Sequence, residues 1–194
     1  MKRRGAALAA AAGGLAFVAA AGWWTLGCRA RRPAGEAVPA TTAAPLAGGT
    51  MAVDLYFPGD GELLFPERRE VESAGEPPAR VRRVVEALLA GPQAPGLHPP
   101  LPTGVAVGNV HLAPTGVVYV DLRSETNATP PAGGSLREML MVYSLVNSIL
   151  LNVPEASRVV LLWNGNQPVS FSGHLDLTHP LQASPDLIAG RLAG

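Results

Sequence analysis

The chain has 194 residues, with fifteen basic residues, fifteen acidic residues and a single cysteine, Cys28. Its formal charge of zero conceals an asymmetry. Six basic residues lie within the first 32 positions and only Glu36 among the acids precedes residue 50, leaving nine basic and fourteen acidic residues beyond it, a net −5. An acidic globular part without a basic stripe excludes nucleic acid as a partner, and one cysteine excludes both a disulfide framework and a thiolate metal site.

Residues 1–32 read Lys2-Arg3-Arg4, an apolar and small-residue run to Cys28, then Arg29, Arg31 and Arg32. A charged head before such a run is a targeting or anchoring segment, which places the remainder outside the cytoplasm. The run is close to the ~20 residues a helix needs to cross a bilayer. Three readings stay open: an uncleaved transmembrane anchor, a lipoprotein signal with lipid on Cys28 after Thr25-Leu26-Gly27, and cleavage near Ala19-Ala20-Ala21. Residues 33–50 are a Pro/Ala-rich linker, too poor in large apolar groups to offset ordering entropy. Residues 51–183 have the size of one domain, and 184–194 read as a short tail.

Along the domain, Met51–Phe57 alternates as a strand. Pro58-Gly59-Asp60-Gly61 turns the chain into two short strands, Glu62–Phe65 and Arg68–Val71, interrupted by Pro66. Pro77-Pro78 opens a helix with Val81, Val84, Val85, Leu88 and Leu89 at helical spacing, closed by Gly91-Pro92. Gly104–Leu112 and Gly116–Leu122 form a hairpin whose phase change at Gly108-Asn109 indicates a bulge. Ser135-x-x-Glu138 reads as a capping box for a long helix to about Leu151. That helix runs Met139-Leu140-Met141-Val142, apolar on more than one face, which suits core burial ahead of a subunit contact. Val159–Trp163 is apolar on both faces, as in a central strand, and Asn164-Gly165 turns it back through Gln167–Phe171. The expected fold is α/β (α+β): a single small domain, a mixed sheet with two helices packed on one face.

Candidate chemistry is sparse. His174-x-Asp176 offers two metal ligands, but His98, His111 and His179 are scattered. Ser144 or Ser172 with a histidine would make a nucleophile, yet no G-x-S-x-G elbow is present. Asp54, Asp121 and Glu125 are the carboxylates available for sugar chemistry, and alternation puts Asp54 and Asp121 toward solvent. Asp121 and Asn147 fit capping or turn hydrogen bonding. Arg80, Arg82 and Arg83 read as a solvated helix face rather than a docking patch for anionic lipid or an acidic partner. No catalytic, cofactor-binding or metal residue is assigned.

Six blocks resemble, in order, the GerMN domain of bacterial sporulation and germination: Val53-Asp54-Leu55-Tyr56-Phe57-Pro58, Glu86–Pro92, Leu101-Pro102-Thr103-Gly104, Val117–Leu122, Tyr143–Ser148 and Val159–Gly165. The resemblance spans about residues 51–179 in one copy. It implies a fold akin to ring-building-motif domains, no catalysis, no cofactor, and membrane-anchored or lipoprotein relatives. With the anchor it leads to a non-enzymatic assembly domain, periplasmic or at the cell surface, whose partners are envelope proteins or copies of itself. The alternatives are a peptidoglycan- or small-ligand-binding module, which requires a concave pocket, and a cryptic hydrolase, which requires Ser172, His174 and Asp176 to converge.

Overall fold

The computed structural model describes residues 49–126 and 129–190. The anchor, the lipidation candidate Cys28 and nearly all of the linker lie outside them. Among the described residues no helix is long and apolar enough to cross a membrane.

Strand β1 (Thr50–Pro58) pairs antiparallel with β2 (Leu64–Glu72) in an unbroken register from Thr50↔Glu72 to Pro58↔Leu64. Val53, Leu55 and Phe57 point into the core, as the alternation requires. Pro66 does not interrupt β2, contrary to the expectation of two short strands. It sits opposite Tyr56, whose main-chain N–H and C=O face away from β2 toward a helix. At such a non-hydrogen-bonded pair the missing proline N–H would have faced outward, so the ladder loses nothing.

Helix α1 (Pro77–Leu89) starts on prolines, where absent N–H donors cost least, and buries Val81, Val84, Val85 and Leu88. Gly91, at φ +84°, ends it in the left-handed conformation that glycine adopts without strain. Strands β3 (Val105–Leu112) and β4 (Val117–Ser124) pair antiparallel, with the expected bulge between Val107 and Val110. A Cβ on Gly108 would lie 2.6 Å from both Asp121 Oδ2 and Arg123 Nε, so the bulge needs glycine for space.

Helix α2 (Ser135–Leu150) crosses from β4 to β5 (Arg158–Trp163), which lies parallel to β4, the connection a parallel pair demands. The strand order is β3-β4-β5, so β4 is central and β5 is an edge, correcting the sequence reading. The outer edge of β5 is covered in part: Val159 and Leu181 exchange two main-chain bonds of 2.8 Å. The return strand over Gln167–Phe171 does not form. Asn164 (φ 49°) and Gly165 (φ 81°) make the tight turn, pairing reaches Asn166, and then Pro168 withholds a donor.

The α+β class holds, with two helices and mixed strand directions. The strands, however, divide into a two-stranded and a three-stranded sheet rather than one. The physical reason is the far edge of β1, where the main-chain groups of Asp54 and Tyr56 are occupied by side chains of α2 and of the turn after it and so cannot meet another strand. One apolar core joins β1, α1, β4, α2 and β5. A smaller cluster gathers Tyr56, Leu64, Leu140 and Ile188. Residues 184–190, read as a tail, pack there: Ile188 is buried, and Ala189 N–H donates to Leu64 O at 2.8 Å.

Candidate functional site

The polar residues weighed for chemistry are concentrated on α2 and what it touches. Glu138 is fully buried, and its carboxylate is the centre of a shell built by the loop after β5. Oε1 accepts from Ser170 Oγ (2.6 Å) and the N–H groups of Phe171 and Ser172 (both 2.9 Å). Oε2 accepts from His174 N–H (2.9 Å) and lies 3.1 Å from His174 Nδ1. Burial alone would raise its pKa; the bonds from Ser170, Ser172, His174 and Phe171 outweigh that and hold it at about 2. The capping box is therefore not made. Gly134 is the N-cap, no side chain caps the helix, and Glu138 serves the 170–174 loop instead.

The far half of α2 and the turn after it use neutral groups. Ser144 Oγ donates to Tyr56 O, and Ser148 Oγ accepts from Tyr56 N–H at 3.0 Å. Asn152 accepts from Asp54 N–H at 2.9 Å and donates to Asp54 O at 2.8 Å. Ser144, Ser148 and Asn152 are four residues apart, the spacing that stacks side chains along a helix. They meet alternate residues of β1 and complete its outer edge. Asn147 makes the same two-way bond to Ser184, accepting at 2.8 Å and donating at 3.0 Å.

These contacts decide the sequence candidates. Ser144 is buried against main chain. Ser172 Oγ donates to Pro131 O at 3.0 Å, His174 belongs to Glu138, and Asp176 accepts from Thr178 and faces His179 at 3.3 Å. The side chains of Ser172, His174 and Asp176 thus each have a different partner. Asp121 is buried rather than solvent-facing: Oδ1 accepts from Gly165 N–H at 2.7 Å and Oδ2 from Arg123 Nε at 2.8 Å, so it anchors the Asn164-Gly165 turn. Asp54 is half-exposed, with Arg68 at 4.0 Å, and Glu125 is exposed. His98 meets Asp60 at 2.7 Å, and His111 leans on Tyr119 with ring centroids 6.2 Å apart. Among the described residues no three His, Cys, Asp or Glu side chains are placed to hold a metal. Arg80 pairs with Glu155, Arg83 with Glu72 and Glu86, and Arg82 donates to the carbonyls of the β3 bulge.

Sequence reasoning missed one pair. Arg69 and Glu67, two apart on β2, bind each other while nearly buried. Arg69 also donates to Ala87 O (3.0 Å) and Gly91 O (2.6 Å), capping α1, and lies 5.4 Å from the Phe57 ring centroid. Glu67 accepts from the N–H groups of Gln93 and Ala94. In a strand reading Glu-Arg-Arg-Glu, nothing local distinguishes this from solvent-facing charge.

No curated protein matches the sequence. Among solved structures, the chain is similar to a presumed lipoprotein from Clostridium perfringens, at 20% identity and TM-score 0.50, covering 69% of this chain and 88% of that one. It is similar to the first GerMN domain of the sporulation protein GerM from Bacillus subtilis, at 18% identity and TM-score 0.52, covering 69% and 98%. The tandem GerMN domains of the same protein match at 16% identity and TM-score 0.53, covering 75% of this chain and 50% of that one. At these identities the structures establish the fold. Residues 54–169, more than half the chain, match the family model Germane, described as sporulation and spore germination, and the chain belongs to that family.

Proposed function

We propose that this protein is a non-enzymatic interaction module, tethered to the envelope by its first 32 residues, that mediates assembly outside the cytoplasm. One observation carries the reading. The buried polar side chains with catalytic potential, Glu138, Ser144 and Asp121, are bound to main-chain groups and so position loops, turns and a strand edge. Side chains committed in this way shape a surface rather than attack a substrate. The family's association with sporulation and germination, and a structural relative named as a presumed lipoprotein, support the setting. The mechanism is geometric: the anchor fixes location, the linker sets reach, and tethering raises local concentration enough for weak contacts to hold.

The test is cross-linking of the full-length protein in its native membrane, with captured species identified by mass spectrometry. Recovery of one envelope protein, or of the chain itself, is the expected result. Recovery of glycan fragments alone would overturn the assembly reading in favour of a ligand-binding module. Intact-mass analysis of the same sample distinguishes a lipid on Cys28 from an uncleaved anchor.

A further inference from the structure

A cleft of about 430 Å³ opens between the β1–β2 turn, the loop after α1 and the first turns of α2. That is within the ~300–1,000 Å³ range of small-ligand sites, which combine apolar walls with a few polar groups. Its walls include Pro99, Pro100, Leu136 and Leu140, with Arg137 and His98 as the polar members. Arg137 stands apart from most of the domain's cations. Arg68, Arg69, Arg80, Arg82, Arg83 and Arg123 each have a carboxylate within 4.0 Å, whereas Arg137 and Arg158 have none among the described residues. Arg137 is exposed beside this apolar wall, so its guanidinium is accessible to an anion carried by a partner. His98 adds orientation. Its Nε2 lies 2.7 Å from Asp60 Oδ1, and in the neutral tautomer that donates from Nε2 the other ring nitrogen, Nδ1, is an acceptor.

We propose that this cleft binds the C-terminus of a peptide whose last residue is aliphatic. Arg137 takes the terminal carboxylate, Pro100, Leu136 and Leu140 take the side chain, and His98 Nδ1 accepts a peptide N–H. A terminal residue presents carboxylate and apolar group from one Cα, which suits a compact cleft with both features. The proposal rests on the interaction-module reading and supplies the chemistry of its partner.

The test uses full-length protein in detergent and fluorescence anisotropy of dye-labelled Gly-Ala-Ala-Leu, with a free C-terminus or a C-terminal amide. Saturable binding of the free acid is expected. Amidation or Arg137→Gln weakens it roughly tenfold or more, as loss of a charge-assisted bond implies, and Leu136→Glu abolishes it. Arg158→Gln, at the other unmatched arginine, leaves it unchanged. Absence of saturable binding, equal binding of the amide, or equal loss in Arg137→Gln and Arg158→Gln overturns the proposal. The two readings fail separately: a cross-linked partner captured equally by Arg137→Gln protein sinks the cleft and leaves the module intact.

Discussion

The two ends of α2 solve one problem by different chemistry. At its start a single buried carboxylate, Glu138, gathers the Ser170–His174 loop through donors that converge on one charge. At its end three neutral side chains, Ser144, Ser148 and Asn152, each meet a main-chain group of β1. Both satisfy backbone that would otherwise be buried unpaired. They differ in how they fail. The charged hub is all-or-none and titrates, whereas the neutral ladder is divisible and ignores pH.

Glu138→Ala breaks the hub and is expected to have the largest effect, about 3–5 kcal/mol in urea unfolding, because loop donors are stranded around a new cavity. A loss below about 1 kcal/mol would mean that the loop finds water easily and that the contrast with the ladder is spurious. Acid then separates the two ends. Glu138 has a folded pKa of about 2 against an ordinary 4.5. Its contribution is fully present above pH 4.5 and is lost as pH falls toward 2, because the unfolded chain takes the proton first. At about 1.4 kcal/mol per pH unit this comes to about 3 kcal/mol. Glu67, whose pKa is lowered by bonds from Ala94, Arg69 and Gln93 against the opposing effect of burial, shifts stability the same way. The diagnostic is therefore the difference between wild type and Glu138→Gln, which should shrink steadily from pH 5 to pH 2.

Asn152→Ala removes two bonds to Asp54 and is expected to cost about 2–3 kcal/mol, independent of pH. Hydrogen exchange sharpens the point: the Asp54 amide should lose protection while the Val159 and Leu181 amides, held by main chain, keep theirs. Loss of protection in both sheets would show that the ladder is not local. Gly108→Ala tests the three-stranded sheet alone. A methyl group forced against Asp121 and Arg123 should cost about 1–3 kcal/mol, with exchange rising around β3 first. Ser144→Ala is the smallest, about 1 kcal/mol, since it removes a single bond.

Much of this could be read along the chain. Alternation located β1, β3 and β4, and the 3.6-residue period located α1 and α2. Proline and glycine marked the ends of α1, the bulge and the Asn164-Gly165 turn. What failed did so where the partner was distant in sequence. Ser135-x-x-Glu138 has the spacing of a capping box, but the 170–174 loop presents more donors to the same carboxylate. Asp121 occupies an outward position on β4, yet the turn after β5 folds over it. Ser144 and Ser148 looked like ordinary helix residues because the strand they complete lies some ninety positions earlier.

The sequence by itself determined most of the elements and the family. These follow from local periodicity, turn chemistry and composition, which act over a few residues at a time. Only the tertiary structure decided that the strands form two sheets, that β5 is an edge, and that Glu138 and Asp121 are buried anchors. A buried polar group is stable only with its hydrogen bonds made, and here those bonds come from segments that meet when the chain has folded.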